Sequence, residues 1–170
     1  MKMFEFCIVA TGIDLNDRAV MDRLYEAGCD DATVSFQKGV AVFDFAREAE
    51  SFFDALTSAI RDVTQGGAHV ERIEPDTLVS LAEIAQRAGL SRSAATLYAQ
   101  GRRGSGFPHP VVRVTSESPL WDWYEVASWL HQNGKVPRDV MLEARVLRHM
   151  NATITLPRVE EAASPVREYA

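Results

Sequence analysis

The spacing of hydrophobic residues changes period several times in the first 75 residues. Residues 3–10 (MFEFCIVA) are dense in aromatic and β-branched side chains, which predicts a covered strand. From 17 to 27 the spacing becomes helical. Val20, Met21, Leu24 and Tyr25 share one face, Asp14 or Asn16 stands where a cap is needed, and Gly28 stops the helix. Residues 32–37 and 40–46 alternate with period two, and Lys38-Gly39 between them is a two-residue hairpin signal. Ser51 can cap a helix over 52–64, with Phe52, Phe53, Leu56, Ile60 and Val63 along one side. Gly66-Gly67 ends that helix, 69–73 make a last short strand, and Pro75 closes the unit.

The order β-α-β-β-α-β predicts an α+β fold that starts with a ferredoxin-like domain over 1–76, an antiparallel sheet with two helices on one face. Such a sheet hosts enzymes, sensors and dimerisation modules alike, so it names no function. The next stretch is more informative. Ser80 and Glu83 form a capping box. The helix it opens, 81–88, places Leu81, Ile84, Ala85 and Ala88 on one face. Gly89 supplies a tight turn, and Ser91 caps a second helix over 92–100 that ends at Gly101. Ala95 and Tyr98 face back to the first helix, and Arg92, Ser93, Thr96 and Gln100 face away. All four are hydrogen-bond donors without negative charge, which suits a DNA major groove.

The basic segment Arg102–Gly106 is expected to be a flexible loop. Val111–Val114 and Leu120–Trp123 are expected to pair as a hairpin, and a helix to run from Tyr124 to His131. Helix-turn-helix, hairpin and helix together predict a winged helix-turn-helix domain over 77–134. A C-terminal amphipathic helix over 135–152 follows, with Val140, Met141, Ala144, Leu147 and Met150 on one face. Two prolines and few large apolar residues predict a flexible tail over 153–170.

Residues 80–130 resemble the AlpA and excisionase-type regulators of the MerR-like winged helix-turn-helix group. The matching stretches are Leu81-Ala-Glu-Ile-Ala85, Gly89-Leu-Ser91, Phe107-Pro-His-Pro-Val111, and Trp121 with Glu125-Val126 and Trp129-Leu130. The resemblance covers about a third of the chain. It implies a small DNA-binding regulator with the second helix in the major groove and the hairpin near the backbone. The turn Ser116-Glu117-Ser118 lacks the glycine and basic residues of many wings, so Arg113 on the strand is the better candidate for a phosphate contact.

Charge sharpens this picture. The chain carries −6 overall, but residues 1–78 hold 7 Lys and Arg against 15 Asp and Glu, a net −8. Residues 84–116 hold five arginines and no acid. An acid-free basic window in an acidic chain marks a local electrostatic feature. The expected DNA-binding set is therefore Ser91, Arg92, Ser93, Thr96, Gln100, Arg102, Arg103 and Arg113. Tyr98 and the three tryptophans are expected to pack a small core.

Other chemistries find little support. His69, His109, His131 and His149 share no metal-ligand spacing with one another or with Cys7 and Cys29, so no metal and no cofactor is expected. The cysteines are expected to be buried thiols. No phosphate loop, nucleophile elbow or dinucleotide fingerprint is present, and the chain is not expected to be an enzyme. No membrane span and no signal peptide are read, so a cytoplasmic location is expected. The expected function is a sequence-specific regulator of double-stranded DNA, a repressor or mobile-element control protein acting as a homodimer. The acidic N-terminal domain is left for dimerisation, a protein partner or a small effector. The alternative is a protein-interaction module, antitoxin-like or adaptor, whose acidic domain binds a protein.

Overall fold

A computed structural model describes residues 1–166. Two units emerge: Met1–Pro75 together with the chain from His149 onward, and Asp76–Arg148. The fold is α+β, with a four-stranded antiparallel sheet and six helices.

In the first unit the strands are β1 (Lys2–Thr11), β2 (Ala32–Gln37), β3 (Val40–Ala49) and β4 (His69–Glu74), in the order β2-β3-β1-β4. The helices are α1 (Arg18–Glu26) and α2 (Phe52–Gln65). Alternation does the sorting: Phe4, Phe6, Ile8 and Ala10 of β1 are buried, as are Ala41, Phe43 and Phe45 of β3. The hairpin turns on Lys38 and Gly39, both at positive φ (50° and 89°), the geometry a two-residue turn requires. Gln37 faces Val40 across it. Ser51 caps α2 as expected, accepting from the Asp54 N–H.

Three local expectations change. Asp17 caps α1, while Asp14 bends the chain before it by accepting from Asn16 N at 2.9 Å. Of the four apolar residues on α1, only Val20 and Leu24 are buried; Tyr25 is 69% and Met21 37% exposed. Phe53 of α2 also faces out. Cys29 is buried, but Cys7 is only half-buried and donates to Asp44 Oδ1 at 2.7 Å. Burial, reinforced by Asp44, pushes the Cys7 thiol up to about 12, and burial pushes Cys29 up to about 11. Both are thiols, not thiolates, near neutral pH.

Arg47 of β3 is 7% exposed and joins strand, loop and helix. Nε and Nη2 hold Asp31 at 2.8 Å each. Nη1 reaches Asp62 Oδ2 at 2.7 Å and Ser58 Oγ at 3.1 Å, and Nη2 also reaches the Gly28 carbonyl at 2.7 Å. Every guanidinium donor is thereby used. The hydrogen bonds that Arg47 donates to Asp31 outweigh burial, and the pKa of Arg47 is raised.

The second unit starts with β5 (Leu78–Val79), followed by α3 (Leu81–Ala88) and α4 (Arg92–Ala99), and then by β6 (Trp121–Asp122), α5 (Trp123–Gln132) and the first part of α6 (Arg138–Val166), which from His149 onward belongs to the first unit. Its core gathers Val79, Ile84, Ala85, Ala95, Tyr98, Phe107 and Trp121 with Trp123, Val126, Trp129 and Leu130. The expected hairpin of 111–114 with 120–123 is reduced to one bridge, Val112 with Leu120. β6 pairs with β5 instead, Val79 opposite Trp121. Arg113 turns the chain at φ 55°, Asp122 is taken up as the cap of α5, and Trp123 N donates to the distant Thr77 carbonyl at 2.8 Å.

The expected tail from 153 is also corrected, since α6 continues to Val166; residues 167–170 lie outside the described residues. Thr153 and Thr155 donate to carbonyls four residues back, at 3.0 and 2.8 Å, so their hydroxyls are satisfied inside the helix. Proline costs a helix one backbone donor, yet its fixed φ is a helical value.

Replacing Arg47 by methionine leaves Asp31 and Asp62 without their cation in a buried site. The expected cost is about 3–5 kcal/mol of stability, read from urea denaturation, with Asp62→Asn in the same chain recovering part of it.

Candidate nucleic-acid interface

The helix pair is built as its caps dictate. Ser80 Oγ accepts from Glu83 N while Glu83 Oε2 accepts from Ser80 N at 2.7 Å, a complete capping box. These bonds from Ser80 hold the Glu83 carboxyl below its usual 4.5. Gly89 takes the left-handed conformation at φ 63°, and Leu90 N returns to the Ala85 carbonyl at 2.8 Å. Ser91 caps α4 by accepting from Ala94 N at 3.1 Å.

Ala95 and Tyr98 face the core, and Arg92, Ser93 and Gln100 are exposed. Thr96 is half-buried and spends its hydroxyl proton on the Arg92 carbonyl at 2.9 Å. Ser91 and Thr96 therefore serve the helix first, and Arg92, Ser93 and Gln100 make up its outward row. Arg92, Arg102 and Arg113 take part in no ion pair among the described residues.

The loop after α4 is held at several points, which corrects its expected flexibility. Arg102 N and Arg103 N both donate to the Leu97 carbonyl, at 2.9 and 3.2 Å. Trp129 Nε1 donates to the Ser105 carbonyl at 2.9 Å, and Trp121 Nε1 to the Pro108 carbonyl at 3.1 Å. Phe107 stacks on Tyr98 at 6.2 Å and meets Trp129 edge-on at 5.1 Å. Gly104 lies so close to Trp129 that a Cβ there would sit 2.9 Å from the indole, and its φ of 72° already favours glycine. The Arg103 guanidinium sits 5.5 Å above the Tyr98 ring.

Arg102 and Arg103 are thus exposed side chains on a fixed backbone, next in the chain to the outward row of α4. Arg113 is not on a strand. It is exposed in a turn closed by Ser116 N to its carbonyl at 3.0 Å, and its positive φ is strained for a residue with a Cβ. Arg87, the fifth arginine of the acid-free window, belongs to packing. It donates to the Asp76 carbonyl at 2.8 Å, lies 5.5 Å over Trp123, and burial lowers its pKa.

Trp129, Trp121 and Gly104 hold the loop in place, but pattern reading assigns the two tryptophans to core packing and the glycine to a flexible loop. The signal was the glycine pair Gly104 and Gly106 before Phe107-Pro108, glycines that let the backbone pass close to a ring. Among the described residues no three His, Cys, Asp or Glu side chains gather as a metal site, and no helix is long and apolar enough to cross a membrane. Compared with known proteins, the chain matches no family model, no curated protein and no solved structure.

Trp129→Phe keeps most of the ring and removes the N–H. It should cost about 1 kcal/mol and speed amide exchange selectively over residues 101–103, the loop amides that are hydrogen-bonded, with α3 unchanged. Uniform acceleration across the second unit would mean that the indole supports the core rather than the loop.

Proposed function

We propose that the chain is a sequence-specific double-stranded DNA-binding regulator, a repressor or mobile-element control protein, that reads the major groove with α4. The observation that carries this reading is the set of exposed residues Arg92, Ser93, Gln100, Arg102 and Arg103, on one helix and the tied loop that follows it, within an acid-free stretch of a chain of net charge −6. A duplex attracts such a surface through its phosphates, and a rigid loop loses little entropy on contact. The helix pair with its left-handed Gly89 supports a helix-turn-helix assignment, and the Val112–Leu120 bridge supports a short, reduced wing. The strand order β2-β3-β1-β4 with two helices supports a ferredoxin-like first unit. Its net −8 over 1–78 would be repelled by phosphates, which assigns it to assembly or to binding a protein or small effector. One short recognition helix reads few base pairs, so two copies on a two-fold site are part of the proposal.

The roles divide. Arg92, Ser93 and Gln100 face base edges, while Arg102 and Arg103 hold phosphates, with Arg113 as a further phosphate contact. Ser91 and Thr96 keep α4 in shape and present their remaining lone pairs to the groove.

An unbiased selection of duplexes with the full-length protein provides the test. Arg92→Ala should lower affinity for the selected site by about 1–3 kcal/mol, with the circular dichroism spectrum unchanged. Replacing Arg102 and Arg103 together by alanine should weaken selected and random duplexes alike and reduce the slope of log K against log salt by about two phosphate contacts. Failure to retain any duplex at low salt would leave the adaptor reading in its place.

A further inference from the structure

The two edges of the four-stranded sheet are finished differently. At β4 the Asn151 side chain acts as a surrogate strand: Oδ1 accepts from Ile73 N at 2.8 Å and Nδ2 donates to Ile73 O at 3.0 Å. At β2 (ATVSFQ) there is no charge and no proline, and among the described residues no covering side chain of this kind, so these devices do not blunt the edge. The hydrogen-bond phase is fixed by the turn. Gln37 pairs with Val40 next to the two-residue turn, and Ala46 N donates to the Asp31 carbonyl at 3.2 Å, so odd-numbered residues bond inward to β3. The N–H and C=O groups of Val34 and Phe36 and the C=O of Ala32 point away from the sheet.

Beside this edge lie the apolar residues of α1 that the first unit leaves uncovered. Met21 and Tyr25, together with the acidic Asp22 of α1 and Asp30, line a pocket of about 330 Å³ with Ala32 and Val34 of β2. Phe36, on the same face of the sheet as Ala32 and Val34, is 63% exposed and fills nothing in its own chain. Residues 32–43 contain no acid and one lysine, Lys38, in a unit that is otherwise strongly acidic.

We infer that β2 pairs antiparallel with β2 of a second copy about a two-fold axis at Val34, joining two sheets into one, with each Phe36 seated in the other copy's pocket. The phase allows this register: Val34 faces Val34, and each Phe36 N–H reaches the other copy's Ala32 carbonyl. Residues directly opposite in an antiparallel pair share a face, so Phe36 lands beside the partner's Ala32, over the pocket that Ala32 lines. The same register carries Lys38 past the strand end to the exposed Asp30 of the other copy, twice by symmetry. The occupant is therefore a second copy of this chain: knob and pocket, and cation and anion, lie at spacings that match only about their own two-fold. Elsewhere, two copies of an acidic unit repel one another, and here neither brings a negative charge to the strand itself.

This names the surface for the two-copy part of the proposed function. Its test needs no DNA, so a failure of one is separable from a failure of the other. Full-length protein is sedimented at a series of micromolar concentrations. Wild type should be a dimer. Phe36→Ser removes a side chain exposed in the single copy, so the fold persists while the dimer dissociation constant rises by about a hundredfold, one pocket lost on each side. Val34→Pro deletes an N–H that the single sheet does not use and should give monomer. Lys38→Asp and Asp30→Lys should each weaken the dimer, and the two together should restore it. A wild-type monomer, or a dimer indifferent to Val34→Pro and Phe36→Ser, would overturn the inference.

Discussion

An indole carries one strong donor at the rim of a large apolar ring, and Trp129 uses both parts at once. Its ring fills the space between Tyr98, Phe107 and Gly104, and its N–H reaches the Ser105 carbonyl at 2.9 Å. Without that bond, the Ser105 carbonyl would lose its protein partner and the loop its tie to the core, at a cost of about 1 kcal/mol. Trp121 repeats the arrangement at Pro108. Arg102 and Arg103 are thereby carried on a backbone tied at the Leu97 carbonyl and at Trp129. The placement of charge at the candidate interface depends on these rings more than on the charges themselves.

Arg47 plays a comparable part in the first unit, with the polarity reversed. There a cation is buried and the surroundings supply the acceptors, from Asp31, Asp62, Ser58 and Gly28. The network fixes where the α1–β2 loop leaves the sheet, and with it the position of Asp30 and the start of the β2 edge. In both units a single polar anchor on a packed side chain sets a segment that bears the proposed contacts with DNA or with another copy.

Much of this was legible from local chemistry. Lys38-Gly39, the Ser51 cap, the Ser80–Glu83 box and Gly89 act over two to four residues, and the structure forms each of them. What escaped was decided by partners distant in sequence. Val111–Val114 has strand spacing, yet Trp121 pairs with Val79, because Thr77 and Asp122 fix the entry to α5. The loop at 102–106 reads as flexible from its glycines, since nothing in the window shows an indole that arrives from 24 residues later. Helix α6 outruns its expected end because threonines satisfy themselves within a helix as well as outside it. On α1, periodicity identified an apolar face correctly but could not say how much of it one copy of the chain would cover.

Amide hydrogen exchange of the full-length protein, free and bound to its selected duplex, bears most directly on the central claim, because it maps contact and rigidity in one measurement. If α4 and its anchored loop form the interface, residues 101–103, whose N–H groups are bonded to the Tyr98 and Leu97 carbonyls, exchange slowly even in the free protein, and binding adds protection over 91–106. Added protection confined to the first unit, or a loop that exchanges freely until DNA arrives, would contradict the account.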